Sequence, residues 1–347
     1  MELGSEFNLS LNNLDKTTGN LTNYLGKYNV SWYEYGRTAI KQVPIDTEKY
    51  VLLPEFICES VINCFNHDKV RFYRINESFE IDIEDLQTKL DNVGTIYICH
   101  YFGYVHSIDK LHSVRELADT NGILIIEDTT QSLFSVNKLT GDYAVASIRK
   151  WMQVPQGGVL YSSRRLPDTC VYEKSTDNYR ACGMILKDLF LNEGMDTNSK
   201  YRKIFSECEK RVDDSKEVKI ISDFAYYITE CVDIEQMVHI RKENADYLQQ
   251  KIKKIGITPI REFNENECAL VLPIRVNNRD DFRKYLIENR IYCAVHWPFD
   301  GLYESERSGA KYNAETLISL PIDQRYSTKE LDYMIEVISN YGGNLLF

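Results

Sequence analysis

The chain has no Cys-x-x-Cys pair among its nine cysteines, no apolar run long enough to span a bilayer, and no excess of basic charge. Each absence removes a class of protein. Odd in number and scattered, the cysteines give no disulfide framework, which points to reduced thiols and a cytoplasmic setting. The polar stretch Glu2-Leu3-Gly4-Ser5-Glu6-Phe7-Asn8-Leu9-Ser10 lacks the apolar region of a secretory signal, in line with that expectation. Charged or polar residues interrupt every apolar segment, so no membrane anchor is expected. A formal net charge of -11 sets an average field that repels nucleic-acid phosphates and anionic membranes, while still allowing a local basic pocket. Gly-x-Gly-x-x-Gly, a Walker loop, His-Glu-x-x-His and zinc-ligand spacings are also missing. Dinucleotide, nucleoside-triphosphate and zinc chemistry therefore lack their usual signatures, and no metal is expected. Repeats and low-complexity tracts are not apparent, which disfavours a solenoid.

What is present is an alternation of strand and helix patterns. Tyr50 to Phe56 is an apolar run, Ile57 to Phe65 carries apolar residues at helical spacing, and Val70 to Ile75 alternates again, which reads as one βαβ unit. A helix over Ile83 to Leu90, a strand from Thr95 to Tyr101, a helix capped by Ser107 and closed by Gly122, and a strand from Ile123 to Ile126 follow. Continuous apolar strands between amphipathic helices predict an α/β fold with a mostly parallel sheet covered on both faces. From about Leu166 to Ile255 long charged helical segments take over, including Tyr201 to Val212 and Ile234 to Ile252. Strands at Ala269 to Val276, Ile291 to Val295 and Leu317 to Pro321, with helices at Asp280 to Glu288 and Lys329 to Tyr341, predict a small C-terminal α+β domain. With 347 residues, 43% of them hydrophobic, two domains are expected: 1–230, a large α/β domain with a helical connector, and 231–347.

Ligands on a parallel sheet sit at the carboxyl ends of its strands. Ile123-Leu124-Ile125-Ile126-Glu127-Asp128 ends one strand in two acids, and the two-residue alternation sends them to opposite faces, so that Asp128 meets a ligand and Glu127 does not. Lys150 lies between alternating residues Tyr143, Val145 and Ser147 and the segment Gly157-Gly158-Val159-Leu160-Tyr161, in a loop joining two strands. An amine able to form an imine and a carboxylate able to keep a pyridine nitrogen protonated are the two groups a pyridoxal phosphate enzyme requires. Desolvation and the neighbouring cation Arg149 would both favour the neutral, nucleophilic amine. Gln131 could reach the ring's phenolate oxygen. Tyr35-Gly36-Arg37-Thr38-Ala39-Ile40 adds a glycine turn opening a short helix, whose amides suit a phosphate dianion, with the Thr38 and Ser147 hydroxyls as further donors. Taken singly, each feature has an ordinary reading: Asp128 a strand-end turn cap, Lys150 a solvated loop lysine, Gly36 a helix start. Their combination is what points to chemistry.

In these residues the chain resembles the DegT/DnrJ/StrS group of fold-type I pyridoxal phosphate sugar aminotransferases. Gly36-Arg37-Thr38-Ala39-Ile40 is similar to that group's phosphate turn. Ile126-Glu127-Asp128-Thr129-Thr130-Gln131 is similar to the segment that holds the pyridine nitrogen and ring oxygen. Gly141-Asp142, Ser147, Lys150 and Gly157-Gly158 follow the order and spacing around the Schiff-base lysine. The resemblance covers most of the chain. It implies pyridoxal 5'-phosphate as cofactor and transfer of an amino group, commonly from glutamate, to a keto sugar attached to a nucleotide. It also implies a homodimer with active sites at the subunit interface, and no nucleic-acid or membrane partner is expected.

The chain departs from the group's pattern at several positions. Arg37 replaces the usual threonine, Ser147 lies three residues before Lys150 instead of five, and Cys58 stands where an aromatic often stacks on the cofactor, leaving Phe56 as a substitute or a core residue. No clear counterpart of the group's Asn-x-Arg segment appears in Leu166 to Asp214. His100, expected to point to the same crevice as Asp128, and Tyr101 are candidates for the substrate mouth, with His296 and Arg325 from the small domain; structural or surface roles fit each of them as well. Two rival classes remain. A dehydratase of the same fold typically has histidine at the lysine position, which Lys150 opposes, and a noncatalytic pyridoxal phosphate-binding regulator is motivated by the altered phosphate and stacking positions.

Overall fold

The computed structural model of the chain describes residues 2–12, 14–167, 172–214, 217–299 and 301–343. Along the chain the strands are β1 (Leu3–Gly4), β2 (Asn29–Tyr33), β3 (Tyr50–Pro54), β4 (Val70–Tyr73), β5 (Val93–Cys99), β6 (Leu124–Asp128), β7 (Tyr143–Ser147), β8 (Gly158–Ser162), β9 (Val271–Arg275), β10 (Ile291–Tyr292) and β11 (Leu317–Pro321). The helices are α1 (Leu21–Tyr24), α2 (Gly36–Ile40), α3 (Glu59–Ile62), α4 (Ile83–Gln87), α5 (Ile108–Asn121), α6 (Tyr179–Asn192), α7 (Asn198–Asp214), α8 (Asp223–Glu230), α9 (Ile234–Lys254), α10 (Arg279–Glu288), α11 (Ser308–Thr316) and α12 (Thr328–Ser339). Two compact units share this chain. The first takes Met1–Ser5, Ile45–Asp142 and Met237–Phe347; the second takes Glu6–Pro44 and Tyr143–Gln236. Along the sequence the segments of the two units alternate.

In the first unit β4, β3, β5 and β6 pair in that order, all parallel, with Cys99 opposite Asp128 and Tyr97 opposite Ile126. Every residue of β5 is buried, as expected for a parallel strand covered on both faces. α5 buries Leu111, Val114 and Ala118 on one stripe and ends at Gly122, whose φ of 62° is the left-handed geometry glycine adopts at little cost. Ser107 occupies the N-cap position of α5, but its side chain makes no capping bond; its backbone N–H is held by the Glu80 carboxylate at 3.0 Å. The C-terminal part of this unit packs Leu272, Ile274, Phe282, Leu286, Leu320, Leu331 and Met334 into one core. There β9 and β11 pair antiparallel, β1 pairs parallel with β10, and α12 opens with a Ser327–Glu330 capping box.

In the second unit β2, β8 and β7 pair antiparallel, with Ser147 opposite Gly158. The strand β2 is absent from the sequence-based expectation because Asn29 and Ser31 break its apolar character, and only pairing with β8 defines it. The charged segment expected as a connector is helical, in α6 to α9, with 168–171 and 215–216 outside the described residues. Among the described residues no helix is long and apolar enough to cross a membrane.

Candidate active site

Asp128 closes β6 in the first unit and is buried. Its Oδ2 accepts a hydrogen bond from the Tyr97 hydroxyl at 2.7 Å, and its Oδ1 accepts one from the Thr130 backbone N–H at 2.8 Å. Among the described residues no cationic side chain is hydrogen-bonded to it. Burial pushes its pKa up, and the bonds from Thr130 and Tyr97 offset only part of that. Tyr97 was not foreseen, because its place beside Asp128 follows from the β5–β6 register, which the sequence pattern does not reveal. Gln131 turns its Oε1 to the Phe102 N–H at 2.7 Å, so that the amide's NH2 is its donor end.

The neighbouring acid takes the other face, as alternation requires. Glu127 is buried, with Oε1 2.9 Å from His100 Nε2 and Oε2 accepting the N–H groups of Thr140 and Gly141, both at 2.7 Å. His100 therefore belongs to the Glu127 side, correcting the expectation that it points with Asp128. The reason is register: Ile98 lies opposite Glu127, and His100, two residues on, shares that face.

The other first-unit candidates are held by internal contacts. Tyr101 donates its hydroxyl to the Phe56 carbonyl at 2.8 Å. The Phe56 ring lies 5.7 Å from that of Phe79, 5.8 Å from Tyr101 and 5.2 Å from Trp297. Cys58 is the N-cap residue of α3, its Sγ 3.1 Å from Ser60 Oγ. His296 is buried, with Nδ1 2.9 Å from Ser319 Oγ and its ring 5.9 Å from Phe102. Arg325 is not with this group. Its fork is engaged by Asp323, Nε to Oδ1 at 2.7 Å and Nη2 to Oδ2 at 2.8 Å, so the planar geometry expected for a substrate carboxylate is spent on an internal one.

The second unit holds the glycine turn and the lysine. α2 starts at Gly36, and its N-cap residue Tyr35 makes no side-chain capping bond, so no side chain of the cap covers the leading amides. Gly36, Arg37 and Thr38 are half-buried. A methyl group added to Gly36 would stand 3.1 Å from Ser147 Cβ, which brings these two sequence-expected phosphate residues together. A methyl group on Gly158 would lie 2.1 Å from the Tyr35 carbonyl oxygen and 2.6 Å from the Gly36 nitrogen. The Gly-Gly pair is thus a requirement of how closely the hairpin approaches the helix start. Gly158→Ala is expected to cost about 2 kcal/mol or more, read as a melting temperature several degrees lower; an unchanged melting curve would contradict this close approach.

Lys150 ends the short 3-10 turn Ile148–Lys150 after β7, and its side chain is exposed. Ile148, which opens that turn, and Trp151, which follows it, are fully buried, which fixes the backbone that carries Lys150. Arg149 does not stand as an uncompensated cation: its Nη1 lies 3.4 Å from Glu209 Oε1. The expectation that Lys150 is desolvated is corrected by its exposure. Glu209 and Arg180, which the sequence reading did not single out, carried no local motif to find them by.

No protein-family model matches the chain, and no curated protein matches it. Solved structures do match. An aminotransferase of Helicobacter pylori involved in pseudoaminic acid biosynthesis superposes with a TM-score of 0.66 at 14% identity, over 97% of this chain and 98% of that one. A DegT DnrJ EryC1 StrS aminotransferase from Brucella abortus gives 0.63 at 16% identity, over 93% and 88%. A Bacillus subtilis protein with bound cofactor PMP gives 0.62 at 15%, over 92% and 74%. The chain has the fold of these proteins, two of them named aminotransferases. The parallel β4-β3-β5-β6 order, the antiparallel β7–β8 hairpin and the small C-terminal α+β part are its version of that fold, with Asp128 at the end of the last parallel strand.

Proposed function

We propose that the protein is a pyridoxal phosphate-dependent aminotransferase that moves an amino group from a donor such as glutamate to a keto sugar, carried on a nucleotide. The observation that carries the reading is Asp128: a buried carboxylate at a strand's carboxyl end, hydrogen-bonded among the described residues by the neutral Tyr97 hydroxyl and Thr130 N–H, in a fold shared with aminotransferases. A protonated pyridine nitrogen would give such a group a hydrogen-bonded cation. The close approach of Gly36 to Ser147, with no cap side chain over the α2 amides, fits a phosphate group. Taken unit by unit, the donors suit the parts of pyridoxal phosphate: in the second unit Gly36, Arg37, Thr38 and Ser147 would hold a phosphate, and in the first Gln131 would meet a ring oxygen and Asp128 a ring nitrogen, with Phe56 and Cys58 as flanking groups. His100, Tyr101 and His296 are engaged in the contacts described above and are given no direct part in holding the cofactor. Arg325, occupied by Asp323, has no role in this proposal. A homodimer in the cytoplasm is the proposed working form; the eight described cysteines are all free thiols, as a reducing compartment requires.

When bound, the cofactor supplies an aldehyde that takes up amines and a ring that withdraws the electron pair left at a substrate carbon. The chain's own residues do the rest. Lys150 would offer Nζ as the amine toward the aldehyde and as the base that holds and returns the proton of the substrate carbon. The Asp128 carboxylate, oriented by Thr130 and Tyr97, would keep a ring nitrogen's proton in place. L-Glutamate added to the cofactor-loaded protein should convert the aldehyde absorbance to that of the amine form with release of 2-oxoglutarate. No spectral change across a panel of amino donors would overturn transamination and favour the noncatalytic regulator.

A further inference from the structure

Beside Lys150 in the second unit, two guanidinium groups from different elements meet on one oxygen. Arg149, next to Lys150, and Arg180, in the first turn of α6, both bond Glu209 Oε1. The two arginine side chains are 14% and 6% exposed, while that of Glu209, on the outward side of α7, is 47% exposed. The cations form a buried floor and the carboxylate sits on it from the solvent. Arg180 has a second carboxylate in Glu6, at 3.0 Å, so its charge stays compensated when Glu209 leaves. One carboxylate oxygen shared by two forks uses little of their donor geometry. The Nε of Arg149 and the Nε of Arg180 are both buried with no hydrogen-bond partner. Lys150 acts on the same carboxylate: burial alone would raise its pKa, but Arg149, Arg180 and Lys150 together hold Glu209 down to about 2, so it is ionised throughout the neutral range.

We propose that Arg149 and Arg180 form an oxyanion-recognition site, that Glu209 is its internal occupant, and that an anionic group of the substrate displaces Glu209 when it binds. A phosphate or a second carboxylate presents several oxygens in the plane and spacing that paired guanidinium forks accept, and it can engage the two Nε donors that Glu209 leaves idle. Against a chain charge of -11, this local cluster of three cations is the kind of pocket that admits an anion the average field repels. Assigning the anion to the substrate rests on the aminotransferase reading; anion binding itself does not.

The test uses the cofactor-loaded protein, so that the phosphate turn is filled, and measures pyrophosphate and glutarate binding by calorimetry. Glu209→Gln keeps the side-chain shape and removes the competing charge, and should tighten binding of at least one anion about tenfold. Tightening for pyrophosphate alone assigns the site to a nucleotide-linked acceptor, and tightening for glutarate alone to a dicarboxylate donor. Adding Arg149→Met to Glu209→Gln should abolish the gain. Equal affinities of the parent and Glu209→Gln proteins for both anions, or a gain that survives Arg149→Met, would overturn the proposal. Binding that behaves as expected in a protein inert to every amino donor would keep the anion site and remove the aminotransferase reading.

Discussion

Lys150→Ala is expected to lower turnover by about a thousandfold or more, while the folded protein and its phosphate-anchored cofactor remain. The expectation has two parts. Losing a tethered general base alone costs about 10² to 10⁴ in rate, and on the proposed reading the same side chain would also supply the covalent amine. The fold should tolerate the change because the lysine side chain is exposed, whereas Ile148 and Trp151, which hold the turn, are buried and untouched. Gly157, at a φ of 148°, lies where an added methyl would be 2.2 Å from Ile148 Cγ1, so the turn is held from the opposite strand as well. Two measurements check this. Borohydride treatment of the reconstituted parent protein should fix the cofactor's mass on the peptide containing Lys150 and leave the alanine variant unlabelled. Unchanged turnover in Lys150→Ala, or labelling at another lysine, would remove Lys150 from the mechanism.

The parts of the site that were legible in the sequence are those set by local pattern. Asp128 could be placed at a strand end because Ile123 to Ile126 is a continuous apolar run, and Glu127 could be sent to the opposite face because a strand alternates with period two. Lys150 could be placed on a hairpin because alternation before it and Gly157-Gly158 after it mark two strands and a turn. What stayed hidden depends on pairing between distant segments. Tyr97 meets Asp128 only because β5 and β6 align Tyr97 with Ile126, and His100 turns to Glu127 for the same reason. Arg325 looked available because its partner, Asp323, is so near in sequence that it reads as part of the same turn. Glu209 lies on a helix whose charged residues read as a solvated face, and its meeting with Arg149 and Arg180 is a tertiary event with no periodic signature. The fold class followed from strand and helix order, but the interleaving of the two compact units did not, since it reflects which strands pair and not how they succeed one another.

Asp128→Asn should separate function from stability in opposite directions. Turnover is expected to fall about a hundredfold or more, because a neutral amide cannot hold the ring nitrogen's proton by charge. The cofactor-free protein, by contrast, should be as stable as the parent at neutral pH or more so. An aspartate in the unfolded chain loses its proton near pH 3.9, about the ordinary value, while burial holds the folded group's pKa above its ordinary value. Between those two values the native state keeps a proton that the unfolded state has released, so stability falls as pH rises through the window and levels off once both are ionised. Asparagine removes that fall. It keeps an acceptor for the Thr130 N–H, and the Tyr97 hydroxyl can rotate to accept from the amide. Melting curves of the two cofactor-free proteins should therefore converge at acid pH and separate in favour of the variant above the window. Added pyridoxal phosphate should stabilise the parent more than the variant, since the bound ring would supply the cation that the ionised carboxylate lacks. A normal rate in Asp128→Asn would dismiss the electron-sink role, and a cofactor-free variant that melts below the parent across the neutral range would show that the carboxylate is held for the fold and not for a ligand.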